Sequence, residues 1–94
     1  MIISFSSEET EDIWRGRPSR RLPTVIQNVA RRKLRMLNNA GQLRDLTIPP
    51  ASRLEALRGD RKGQHSIRIN DRWRICFRWV DGNCHEVEIV DYHR

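Results

Sequence analysis

Arginine carries most of the chemical potential in this chain. Lys33 and Lys62 are the only lysines among 18 basic residues, so sixteen are Arg. A guanidinium offers planar, bidentate and stacking contacts to phosphates and bases that an ammonium cannot. A GC-rich genome produces the same bias, so its weight rests on where the arginines fall. His65, His85 and His93 are the only imidazoles, and Cys76 and Cys84 the only thiols. The cysteines lack CxxC spacing and have no ligand set nearby, so no structural metal is expected.

The charge is unevenly spread. Residues 1–14 hold four acids and no base, whereas 15–35 hold Arg15, Arg17, Arg20, Arg21, Arg31, Arg32, Lys33 and Arg35 and no acid. The net charge of +6 and pI near 10.6 favour a polyanionic partner such as nucleic acid. Ninety-four residues make one domain over 1–94 and exclude a large multidomain enzyme. No window approaches the roughly 20 apolar residues of a membrane span, and the start does not read as a secretory signal. A cytoplasmic protein with reduced cysteines is expected.

These side chains need a scaffold. Ile2, Ile3 and Phe5 predict a short first strand. Ser7 followed by Glu8, Glu9 and Glu11 predicts a capped helix with carboxylates in its first turn, ended by Gly16 and Pro18. Pro23-Thr24 opens a second helix in which Ile26, Val29, Ala30, Leu34 and Leu37 share one face. Gln27, Asn28, Arg31, Arg32 and Arg35 fall opposite, as a solvated surface or as a contact for RNA or a partner. Lys33 lies within the apolar sector and is expected to snorkel outward. Gly41 stops the helix, and residues 42–63 read as an irregular connection.

From Gln64 the period becomes two, predicting three antiparallel strands. One face carries His65, Ile67, Ile69, Trp73, Ile75, Phe77, Trp79, Val87 and Ile89 and must be covered by helices. The other carries Gln64, Ser66, Arg68, Arg74, Arg78, Glu86, Glu88 and Tyr92. A two-residue Asp81-Gly82 loop would set Phe77 and Ile75 opposite carboxylates, so an odd-length loop is expected. It would put Ile75 opposite Val87, Trp73 opposite Ile89, Arg74 opposite Glu88 and Cys76 opposite Glu86, with Cys84 too far from Cys76 for a disulfide. An uncovered face bearing Arg68, Arg74, Arg78 and Tyr92 is either a nucleic-acid platform or a solvated surface with cross-strand ion pairs.

Three stretches are more specific: Leu57-Arg58-Gly59-Asp60-Arg61-Lys62-Gly63-Gln64-His65-Ser66-Ile67-Arg68-Ile69-Asn70, then Asp71-Arg72-Trp73-Arg74-Ile75-Cys76-Phe77, then Val90-Asp91-Tyr92-His93. In combination they resemble the HigB group of bacterial toxins in the RelE/ParE superfamily, over the whole chain. The resemblance implies a compact α+β domain, with an N-terminal strand and two or more helices packed on one face of an antiparallel-rich sheet. It implies a ribosome-dependent, metal-independent endoribonuclease with no cofactor, in which the ribose 2′-OH attacks the adjacent phosphate to leave a 2′,3′-cyclic phosphate and a 5′-OH. Arg74 would hold the phosphate, Asp91 orient the imidazole or act as base, Tyr92 stack or donate a proton, and His93 act as acid or base. Arg58 matches a phosphate-contacting Lys of the family, and Arg61, Lys62, Arg68 and Arg78 would bind RNA.

One departure stands out. Where relatives carry Leu-His-Pro-Leu-Lys, this chain has Leu54-Glu55-Ala56-Leu57-Arg58, so Glu55 replaces a histidine and is either a base or a plain surface residue. The implied partners are a HigA-like helix-turn-helix antitoxin, the ribosomal decoding site and mRNA. The competing readings are a non-enzymatic ParE-like inhibitor and an RNA-binding module whose nuclease site has weakened.

Overall fold

The computed structural model describes residues 1–92. Helix α1 (Glu8–Trp14) starts as its sequence dictates, with the Ser7 hydroxyl accepting from the Thr10 amide at 3.2 Å. Helix α2 (Thr24–Asn39) follows, then three short 3₁₀ turns at Leu43–Thr47, Pro50–Ser52 and Gly59–Arg61. Strands β1 (Glu55–Ala56), β2 (His65–Arg68), β3 (Trp73–Val80) and β4 (Asn83–Asp91) form one antiparallel sheet in that order. Within the region read as irregular, β1 is a two-residue strand pairing Glu55 with Ser66 and Ala56 with His65.

The core lies between the helices and one sheet face. Ile13 of α1 and Ile26, Ala30, Leu34 and Leu37 of α2 pack with Ile67, Ile75, Phe77, Val87 and Ile89. The apolar alternation expected of the strands therefore holds. The N-terminal segment runs beside β4 but makes only isolated parallel bridges, Ile2 to Cys84 and Phe5 to Val87. Among the described residues, no helix is long and apolar enough to cross a membrane.

The β3–β4 hairpin corrects the expected register. Asp81 (φ 49°) and Gly82 (φ 81°) form the two-residue turn after all, and Val80 pairs with Asn83. The one-residue change comes inside the strand: Arg78 pairs with His85 and Cys76 with Glu88, leaving Glu86 and Val87 opposite Phe77. Glu86 takes a left-handed φ of 55°, as the first residue of a G1-type bulge does. Ile75 consequently faces Ile89, Trp73 faces Asp91 and Arg74 faces Val90.

Three arginines of the basic block pair with acids of the block before it. Arg15 pairs with Glu11 at 2.8 Å, Arg17 with Asp12 at 3.0 Å and Arg21 with Glu9 at 3.1 Å. Arg31 donates to the Ile13 carbonyl at 3.0 Å, tying α2 to the end of α1. Gln27 is buried instead of solvated, because its amide donates to the Ser19 and Leu22 carbonyls that precede α2. Lys33 does not snorkel to water; its ammonium donates to the buried Ser52 hydroxyl at 2.6 Å. Burial, then the charges of Arg32 and Arg68, hold that ammonium's pKa below the usual lysine value.

Candidate active site

The face of the sheet away from the helices is partly covered. β1 and the turns around it lie along β2, so Arg74 on β3 is only 6% exposed, and Leu57 and Cys76 are buried outside the main core cluster. A buried guanidinium needs acceptors. Arg74 Nε donates to Ser66 Oγ at 2.7 Å, and Nη2 donates to the carbonyls of Arg53 at 2.5 Å and Ser66 at 3.3 Å. Arg53 presents its carbonyl from a left-handed conformation (φ 45°, ψ 62°) at the end of the Pro50–Ser52 turn. The remaining nitrogen, Nη1, stands 3.8 Å from Glu55 Oε1. Glu55 arrives there because β1 pairs it directly with Ser66.

Tyr92 completes the cluster. Its amide donates to the Arg72 carbonyl, and its ring centroid lies 5.5 Å from Arg74 Cζ, within cation–π range. Glu55, Ala56, Leu57, Arg58 and Tyr92 line an open cavity of about 410 Å³. Arg58 is exposed and has no side-chain partner among the described residues. The wall thus offers an aromatic face, one cation and one carboxylate, and the Arg74 guanidinium touches two of its members, Tyr92 and Glu55; together they are a set able to bind a phosphodiester, stack a base and take a proton.

The other expected residues are distributed differently. Arg61 pairs with Glu88 at 3.2 Å and Arg78 with Glu86 at 2.8 Å, while Arg68 pairs with Asp71. Lys62 is exposed. Asp91 binds Arg72 through two contacts, at 2.9 and 2.7 Å, and strand alternation places it on the opposite face from Tyr92. His93 lies outside the described residues. His65 stacks on Phe77 on the apolar face, their centroids 6.2 Å apart, as its position in the alternation requires. Cys76 and Cys84 are free and buried.

Sequence reasoning missed Ser66 and Arg53 as holders of Arg74. The alternation places Ser66 on the right face, one strand away from Arg74. The Arg53 carbonyl left no signal, because its direction depends on a backbone turn.

Residues 4–93 match the profile of a family described as RelE-like toxin of type II toxin–antitoxin system HigB. The chain is 41% identical over 83 residues to "Toxin HigB-1" of Vibrio cholerae serotype O1, covering 87% of each sequence. It is 26% identical over 93 residues to "Endoribonuclease HigB" of Proteus vulgaris, covering 99% of this chain and 100% of that protein. The crystal structure of YafQ from E. coli strain BL21(DE3) shares the fold, with a TM-score of 0.62 at 16% identity over 97% of this chain and 91% of that one.

Proposed function

The chain belongs to the HigB-like family of RelE-like toxins of type II toxin–antitoxin systems, and from that membership we propose that it is an endoribonuclease cutting mRNA in the decoding site of the ribosome. The observation that carries this reading is that Glu55, Arg58 and Tyr92 line one open cavity, while the buried Arg74 holds its guanidinium over the Tyr92 ring and its Nη1 3.8 Å from Glu55. The family relative named an endoribonuclease, alignable along nearly the whole chain, supports it.

In the proposed reaction the ribose 2′-OH attacks the adjacent phosphorus. The O2′–P bond forms, the P–O5′ bond breaks, and the products are a 2′,3′-cyclic phosphate and a 5′-OH. Glu55 takes the 2′-OH proton, in the place where relatives carry histidine. Arg74 Nη1 and Arg58 meet the charge that builds on the phosphorane, so the cycle uses no metal ion or cofactor. Tyr92 stacks on a base beside the cut, and His93 is the candidate acid for the leaving 5′ oxygen. Asp91, whose carboxylate accepts from Arg72, is the candidate for orienting the His93 imidazole.

Type II membership implies a cognate antitoxin, and we assign a HigA-like helix-turn-helix protein to that role. Arg32 and Arg35 on the exposed side of α2 have no partners among the described residues. They support docking on ribosomal RNA, and binding should weaken steeply as salt rises.

Mapping RNA 5′ ends after inducing the wild type, Arg74→Ala and His93→Ala tests the reading. New 5′-OH ends within translated mRNA, absent from both variants, are expected. Growth arrest without new ends, equally strong in all three, would overturn it in favour of a non-cutting inhibitor.

A further inference from the structure

The guanidinium of Arg74 is bound on every edge but one. Nε meets Ser66 Oγ, and Nη2 meets the Arg53 and Ser66 carbonyls. Among the described residues only Nη1 finds no hydrogen-bond acceptor, and it is the nitrogen 3.8 Å from Glu55, which lines the cavity. A guanidinium on a flexible stem presents any of its edges to a phosphate, so fixing one edge needs directional partners on the others. Ser66 supplies two of the three bonds, one from its hydroxyl and one from its carbonyl. It is fully buried and unable to contact RNA itself. The hydroxyl bond is the shorter, at 2.7 Å against 3.3 Å, and it alone can be removed by mutation.

We propose that Ser66 is a positioning residue for RNA cleavage: its hydroxyl sets the rotation of Arg74 so that Nη1 faces the scissile phosphate. The role rests on the endoribonuclease reading above. Without the hydroxyl, Arg74 keeps its charge and its two carbonyl bonds but is free to pivot about Nη2. RNA is then still attracted, while the phosphorane loses an aligned donor, so the defect falls on the chemical step and not on binding.

The test compares wild type, Ser66→Ala, Ser66→Thr and Arg74→Ala in single-turnover cleavage of mRNA on programmed ribosomes, with thermal melting of each protein. Ser66→Ala should lower the saturating rate roughly ten- to hundred-fold while leaving the half-saturating toxin concentration within about two-fold, as misorientation does. Ser66→Thr, which restores a hydroxyl, should recover most of the rate. Full activity of Ser66→Ala beside an inactive Arg74→Ala overturns the role of Ser66 and leaves the function standing. A threonine variant that melts like wild type yet remains as slow as the alanine variant also overturns it. A wild type that cuts no ribosome-bound mRNA overturns the function and this role together.

Discussion

The Arg74 guanidinium stands over the Tyr92 ring, Cζ 5.5 Å from the centroid, and so joins the segment after β4 to the start of β3. Tyr92 lines the open cavity, and in the proposed function its ring stacks on a base while Arg74 meets the phosphate. Tyr92→Ala should weaken binding of a short RNA about 5- to 100-fold, the range expected for losing one base–aromatic stack. Tyr92→Phe keeps the stack and should bind like wild type in a fluorescence titration. If both variants bind equally well, Tyr92 does not stack on RNA.

Glu55 approaches the same guanidinium, its carboxylate 3.8 Å from Nη1. As the base it is needed for the chemical step, yet its negative charge repels the phosphate that Arg74 must hold. The two roles predict opposite signs for one substitution. Glu55→Gln should slow cleavage by roughly 100-fold or more, the usual contribution of a general base, while tightening binding of an RNA with 2′-deoxyribose at the cut. Binding of that analogue measured beside the cleavage rate separates the two effects. Unchanged cleavage would make Glu55 a bystander.

Much of this arrangement was legible in the sequence because it follows from periods. Ile67, Ile75, Phe77, Val87 and Ile89 were placed on the core face, and Arg74 and Tyr92 together on the other, by alternation alone. What escaped depends on single backbone dihedrals. The register change came from Glu86 at φ 55° instead of from a longer loop, and the Arg53 carbonyl reaches Arg74 only because Arg53 is left-handed. Neither residue is the glycine that would have announced such a conformation. Part of the basic run is bound by the acids of α1: Arg15 pairs with Glu11 at the helical i,i+4 spacing, whereas Arg17 and Arg21 reach Asp12 and Glu9 from beyond the helix end, pairings that no periodicity reports.

The bulge gives a stability prediction. A non-glycine residue in the left-handed region costs about 1–2 kcal/mol, and the exposed Arg78–Glu86 pair returns only about 0–1 kcal/mol. Glu86→Gly should therefore leave stability unchanged or raise it by up to about 1 kcal/mol. Glu86→Val, β-branched at the same φ, should lower it by about 1–2 kcal/mol. Urea melts of the three proteins decide, and a glycine variant clearly less stable than the valine variant would mean that Glu86 is not held in that conformation.

Cys84 gives a prediction for stability at alkaline pH. It is buried against α2, with its sulfur 3.8 Å from the Leu37 carbonyl, and burial pushes its thiol up to about 11, opposed only partly by the N-terminal ammonium. Burial also raises the Cys76 thiol, with Glu88 adding to the rise and Arg61 and Arg74 pulling against it. In the unfolded chain both ionise near 9.0. Between that value and the folded one, the unfolded chain has lost protons that the native state retains, so each step up in pH favours unfolding. Stability should thus show no cysteine contribution to its slope below pH about 8 and fall from pH about 9 toward 11. Cys84→Ala should flatten that fall, leaving the smaller part due to Cys76. The same burial predicts that a thiol reagent at pH about 8 reacts with neither cysteine in the native protein and with both in urea. A thiol that reacts at once without denaturant, or an alkaline fall in urea stability unchanged by Cys84→Ala, would show that Cys84 is not sealed in the core.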